Sequence, residues 1–351
     1  MNTNLKVAGI IRQDTAVGLY RVGVPVQFID KISTKKCRIT PFTGKNMPKR
    51  LHDYGDDSAA WTDKTLMEIA KDADVILCNS LFDENELLKI LNLRKWSGAK
   101  LVFDIDDDLY AVATDNPAHK NIPHLIRTFE KCLSVADGVT VSTPALKELY
   151  KSLNPNIYVN PNGQDLMMWK KIREKGKSKH KGIRIGWRGA QGHGPDVSLV
   201  KPALDELKKK YDITFCSLGV EPPFKADEHW GFVGTLDFPK RLAEMDLDVA
   251  IVPLIDKRYN RAKSNIAVQE FAMLNIPVVA SPVENQKDMD GVLYANSNYE
   301  WYDQLEKLIL DKELRKENAK KTYKFVAKNY DLKVLTKPFV EWLEKLPRKD
   351  F

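Results

Sequence analysis

The chain has only four cysteines, and their placement gives them no evident structural or metal-binding task. Cys37, Cys78, Cys132 and Cys216 are far apart, with no C-x-x-C pair and no nearby histidine pattern. That spacing excludes a zinc ribbon or a disulfide-stapled scaffold and points to buried thiols in a reducing compartment. Long hydrophobic runs are missing too, since no stretch approaches the roughly 18–20 apolar residues of a membrane helix. The opening MNTNLKVAGIIRQD holds too short an apolar stretch for a secretory leader, so a cytoplasmic protein is expected. Glycine and proline, 18 each in 351 residues, are too few for a collagenous or low-complexity chain. What remains is a globular chain, 43% apolar, long enough for two domains with a full core in each.

Charge of one sign is scarce except in two places. The net charge is +7, yet residues 1–165 are balanced and nearly all the excess lies in 166–181. That stretch carries Lys170, Lys171, Arg173, Lys175, Lys177, Lys179 and Lys181 against Glu174 alone, and it reads as a solvated interdomain linker. A second excess runs from Lys31 to Arg50 without an acid and includes Lys45, Lys49 and Arg50. A surface of that kind is either plain solvated protein or a region that attracts a polyanion.

Apolar runs alternate with amphipathic ones along the whole chain. Strand-like runs are 5–11, 37–42, 74–78, 100–105, 138–142 and 157–161, then 183–187, 213–218, 248–254 and 277–281. Helix-like stretches separate them, and Thr143-Pro144 before ALKELYKSL is a start signal, a hydroxyl N-cap followed by proline. Such alternation predicts α/β architecture with parallel sheets covered on both faces. The expected organisation is a first domain over 1–165, the linker 166–181 and a second domain over 182–330. A C-terminal helix over 331–351 is expected to pack across the domain junction.

Ligands of open α/β sheets sit beyond the carboxyl ends of the strands, which directs attention to four constellations. Gly18-Leu19-Tyr20-Arg21 follows the first strand, where a turn into a helix presents backbone N–H groups. Asp104, Asp106, Asp107 and Asp108 crowd the end of LVFDIDDDLY, and their mutual repulsion asks for a partner or a task. A magnesium site, the strand-end D-x-D of haloacid-dehalogenase-type phosphatases, a general base beside hydroxyl acceptors and a structural cap all fit that cluster. Arg188-Gly189-Ala190-Gln191-Gly192-His193-Gly194 forms a glycine-rich loop suited to an anion, without the spacing of a dinucleotide fingerprint. Lys263, Ser264 and Asn265 open a helix on which Glu270 lies seven residues past Lys263, about two turns on. Cation and amides there would hold phosphates, and Glu270 would accept the hydroxyls of a ribose. His119 and His124 stay without a role, while His193 is a candidate diphosphate contact.

The strings NRAKSNIAVQEFAMLNIPVVAS, VSTPALKELYKSLNPNIYVNPNG, IRIGWRGAQGHGPD and VFDIDDDLY together resemble the GT-B glycosyltransferases near glycosyltransferase family 4. More narrowly, the chain is similar to a bacterial and phage subgroup with a YRV-x-x-P start. The resemblance covers essentially the whole chain in order. It implies two Rossmann-like domains with parallel sheets facing a central cleft, the first binding acceptor and the second a nucleotide sugar, UDP-linked by preference. By that resemblance Glu270 is the second glutamate of the E-x7-E motif and holds the ribose. Arg188 and Lys263 neutralise the departing diphosphate, so no metal is needed. Gly18, Gly189, His193, Ser264 and Asn265 complete the donor set, and Tyr20, Arg21, Lys45, Lys49 and Arg50 form the acceptor side. Asp106, Asp107 or Asp108 would take the acceptor proton in an inverting route, whereas the resemblance leans towards retention. The motif's first glutamate is replaced by Ala262, so its contacts to the donor sugar do not carry over. Two basic segments suit a hydroxymethylated base in phage DNA as acceptor. A cell-surface polysaccharide or lipid-linked glycan is the rival, and a non-catalytic nucleotide-sugar-binding protein the alternative of another class.

Overall fold

In the computed structural model the described residues are 2–12, 15–41, 62–79, 81, 83–112, 122–174, 180–190 and 192–350. They divide into two compact units, Met1–Gly163 with Leu332–Phe351, and Gln164–Asp331.

The first unit holds a parallel sheet of β1 (Val7–Ile10), β2 (Arg38–Ile39), β3 (Val75–Asn79), β4 (Lys100–Ile105), β5 (Gly138–Val141) and β6 (Ile157–Val159). Their order is β2-β1-β3-β4-β5-β6, with every pairing parallel. β1, β3 and β5 are buried along their whole length, and β4 from Leu101 on. Helices cover both faces, as continuous Val/Ile/Leu runs require. Local chemistry sets the helix ends. Asp83 accepts N–H bonds from Asn85 and Glu86 at the start of Glu84–Ser97, and Gly98 closes that helix at φ 72°. Thr143 caps Pro144–Tyr150 through Leu146 N–H, as its dipeptide predicts.

The C-terminal helix Leu332–Lys345 belongs to this first unit. Phe339, Val340, Leu343 and Leu346 join its core, and Phe339 and Trp342 stack on Tyr158 with centroids 5.7 and 5.2 Å away. The segment expected across a junction is therefore an integral wall of the first unit's core.

The second unit holds β7 (Ile183–Gly189), β8 (Ile213–Gly219), β9 (Glu228–Trp230), β10 (Val249–Val252), β11 (Val278–Ala280) and β12 (Leu293–Tyr294). Their order β12-β11-β10-β7-β8-β9 is the doubly wound Rossmann order, reversing direction between β7 and β10. Two apolar cores line the two faces of this sheet.

The basic stretch 166–181 differs from the expected linker as far as Glu174; Lys175, Lys177 and Lys179 lie outside the described residues. Leu166–Arg173 is a helix of the second unit, capped by Asp165, and Trp169 on it is wholly buried. Leu166, Trp169 and Ile172 recur every three residues and face the core, while the lysines take the solvent side. Charge counting hid an amphipathic helix. Gln164 N–H donates to Tyr330 O at 2.7 Å and Gln164 bridges to Asp331, so the chain's exit from the first unit and its return lie side by side.

Candidate functional site

The second unit concentrates chemistry at the carboxyl ends of β7 and β10, where the strand order reverses. β7 runs to Gly189, two residues past its expected end, and Arg188 is therefore a strand residue. Its guanidinium meets Glu270 of helix Ile266–Met273 at 2.6 Å, with side-chain exposures of 22% and 2%. The two residues assigned to diphosphate and ribose thus hold each other across the sheet-to-helix contact. A carboxylate so deeply placed needs a cation beside it, and Arg188 supplies one.

Gly189 is small for another reason than anion approach. A Cβ there would collide with the ring of the buried Trp187, and Gly189 pairs with Gly219 in the sheet. His193 precedes the five-residue helix Gly194–Ser198 and places Nδ1 2.7 Å from Asp196 Oδ2. Since an ionised carboxylate only accepts, Nδ1 donates and the histidine is fixed in orientation. Asp196 is 1% exposed, and its other oxygen accepts from Ile255 N–H and Asn260 Nδ2, both at 2.9 Å. One buried carboxylate therefore ties the loop after β7 to the loop after β10. Sequence reading missed Asp196 and Asn260, because an aspartate in a first helical turn looks like ordinary capping.

Lys263 is not on the helix of Glu270. It closes the short helix Arg258–Ala262 in an extended conformation (φ −63°, ψ 145°), half-buried, and Nζ lies 4.5 Å from the centre of the Tyr259 ring. The two-turn relation expected between Lys263 and Glu270 fails because a turn through Ser264 and Asn265 separates two helices. Ser264 is half-buried in that turn. Asn265 is buried in a polar chain instead of facing a ligand. Trp169 Nε1 donates to Gln164, Gln164 to Gln269, Gln269 to Asn265, and Asn265 to the Tyr330 hydroxyl, over 2.7–3.0 Å. Ala262 is 5% exposed, so its methyl group fills space in the core.

In the first unit, Gly18 ends a short helix (Ala16–Gly18) that passes into a π-helical turn, Leu19–Gly23. That turn sends Arg21 inward. Arg21 is 1% exposed, binds Asp104 through Nε and Nη2 at 3.0 and 2.7 Å, and donates from Nη1 to Asn160 O and Asn162 Oδ1. Asp104 also accepts from Thr140 Oγ1 at 2.6 Å. Arg21 is therefore a buried structural cation and not an acceptor contact, and Asp104 is occupied rather than poised as the nucleophile of a D-x-D phosphatase. Tyr20 is half-buried on the same turn.

Asp108 is likewise removed from the base candidates: it is 2% exposed and caps the turn Leu109–Ala111 through Tyr110 N–H. Asp106 and Asp107 are half-buried and line a cavity of ≈ 160 Å³ together with Arg12, Thr15, Gly18 and Asn79. The basic region beginning at Lys31 looks different once folded. Lys35 pairs with Asp74 at 3.2 Å, and Lys36 with Asp30, the residue just before the stretch, at 2.5 Å, so acids outside the stretch offset it. Lys45, Lys49, Arg50 and His119 lie outside the described residues. Among the described residues, no helix is long and apolar enough to cross a membrane.

No protein-family profile matches the chain, and no curated protein sequence matches it. Solved structures do. An alpha-glucosyltransferase in complex with UDP is similar at TM-score 0.66 and 11% identity over 97% of this chain and 98% of that one. An alpha-glucosyltransferase in complex with UDP and a 13-mer DNA containing a HMU base matches at TM-score 0.65 and 12% identity, over 97% of this chain and 98% of that one. Anabaena Alr3699/HepE in complex with UDP and glucose matches at TM-score 0.65 and 12% identity, over 97% of this chain and all of that one. Sucrose-phosphate synthase from Thermosynechococcus elongatus matches at 0.56 and 12%, over 85% and 81%. These structural neighbours are GT-B glycosyltransferases, and with two parallel six-stranded sheets and a C-terminal helix returned to the first unit, this chain has the GT-B fold.

Proposed function

We propose that the protein is a nucleotide-sugar-dependent glycosyltransferase, with a UDP-sugar as donor and a hydroxyl group as acceptor. The observation that carries this reading is the Arg188–Glu270 pair at the strand reversal of a Rossmann unit. A deep carboxylate and a guanidinium at one strand end match the two demands of a nucleoside diphosphate: hydroxyls to accept from and an anion to neutralise. Lys263 adds a second cation on the neighbouring turn. Sugar transfer builds negative charge on the departing diphosphate, and preorganised cations there supply the largest available stabilisation. That chemistry needs no metal, and retention follows if the diphosphate itself takes the acceptor proton.

For the acceptor, we favour a hydroxymethylated base in DNA, acted on within a bacterial or phage-infected cell. The support is the full-length likeness to an alpha-glucosyltransferase solved with DNA, together with the remaining basic side chains of 31–50 and 166–181. A glycan acceptor is the second reading, favoured by Asp106 and Asp107, which repel a polyanion where they line the first unit's cavity.

The test is release of free nucleotide from UDP-, GDP- and ADP-sugars in EDTA, with and without hydroxymethylated DNA. Release from a UDP-sugar, stimulated by that DNA and falling steeply with salt, is the expected result. Release indifferent to DNA moves the acceptor to glycans. Silence with every donor, without thermal stabilisation by any, overturns the enzyme reading.

A further inference from the structure

Asn79 is the last residue of β3, beside the point where the first sheet reverses its order, and pairs in register with Asp104 of β4. It is 9% exposed, and neither its amide nitrogen nor its amide oxygen has a hydrogen-bond partner among the described residues. It lines the ≈ 160 Å³ cavity that Thr15, Asp106 and Asp107 also line, and the Thr15 hydroxyl is without a partner on the same terms. Buried amides are almost always satisfied, so an amide left with both functions open beside a cavity points to a ligand that completes it.

The walls say what that ligand is. Asp106 and Asp107 set two carboxyl groups in the cavity wall, and the guanidinium of Arg12 pairs with Glu86 at 2.7 Å. A phosphate or carboxylate would meet two carboxylates there, at a cost in repulsion and desolvation. A hydroxyl suits every wall: it donates to a carboxylate, accepts from an amide N–H and donates to an amide oxygen. We propose that this cavity seats a neutral, hydroxyl-bearing group of the acceptor, a sugar ring or a hydroxymethyl-bearing ring, and that Asn79 is the residue that reads it. The word acceptor rests on the glycosyltransferase reading; the cavity and its ligand chemistry do not.

The full-length protein labelled with 15N, titrated with D-glucose, with 5-hydroxymethylcytidine and with glucose 6-phosphate, tests this. A saturable shift of the Asn79 side-chain amide is expected with at least one neutral probe, and binding at least about tenfold weaker for the phosphate than for glucose where glucose binds. No shift with either neutral probe, or equal response to the phosphate, overturns the proposal. Asn79→Leu supplies a second readout. Replacing an unsatisfied amide with an apolar side chain should keep or raise the thermal midpoint while weakening binding of the neutral probe, followed on backbone amides, at least about tenfold. A lowered midpoint would mean that the amide serves the fold, which also overturns the proposal. Silence with every sugar donor, with and without acceptor, overturns the transferase reading, while the glucose titration still decides the cavity.

Discussion

Replacing Glu270 separates two tasks that the structure gives one carboxylate. With the pair at 2.6 Å and Glu270 2% exposed, Glu270→Ala leaves a guanidinium without its main counter-charge. Breaking a buried ion pair costs about 3–5 kcal/mol. Arg188 is 22% exposed, so water takes over part of its solvation, and about 2–3 kcal/mol is the better expectation. At roughly 2–4 °C per kcal/mol for a unit of this size, the thermal midpoint should fall by roughly 4–12 °C. Glu270→Gln keeps the volume and one acceptor, and so should cost less stability while still weakening nucleotide binding. Hydrogen bonds to a charged acceptor contribute roughly 1.5–3 kcal/mol, or about 10–150-fold in the Kd for UDP. The decisive assay is a cycle by calorimetry: unaltered protein and Glu270→Gln, each with UDP and with 2′,3′-dideoxy-UDP. If Glu270 accepts the ribose hydroxyls, removing them should cost the unaltered protein that same factor and the variant, which keeps only a neutral acceptor, markedly less. Two losses that multiply independently would refute the ribose assignment and leave Glu270 as a counter-ion for Arg188 alone.

Lys263→Ala should lower kcat by about 10²–10³ while the KM for the donor moves little, because its charge acts on the departing diphosphate; equal losses in binding and turnover would make it a plain anchor. Arg21→Leu should destabilise the first unit by about 3–5 kcal/mol by stranding Asp104, and the double change Arg21→Met with Asp104→Leu should recover most of that in denaturant titrations. Trp169→Ala should cost about 3–5 kcal/mol, whereas a solvated linker would tolerate it without change. Burial pushes the Cys132 thiol from 9.0 up to about 11, so the unfolded chain ionises first as pH rises. Its contribution to stability is complete below pH 9 and is lost between pH 9 and 11; the fall in thermal midpoint over that window should be smaller in Cys132→Ala.

The sequence by itself determined the elements and their parallel arrangement. Runs such as 100–105 and 183–187 mark strands buried on both faces, and Thr143-Pro144 marks a helix start, since burial, capping and period are local properties of a few neighbouring residues. It also directed attention to the strand ends, because these can be read from the same runs. β9 and β12 escaped notice. The helix Leu166–Arg173 was concealed by lysines that report its outer face alone. What only the tertiary structure decided is which charges meet. Arg21 lies 83 residues from Asp104, and no local pattern announces that a π-helical turn buries one against the other. Lys35 gained an acid from Asp74, while Asp196 became the hub of two loops. Whether a charged side chain catalyses, binds or braces depends on its partner, and partners are brought together by packing between elements distant along the chain.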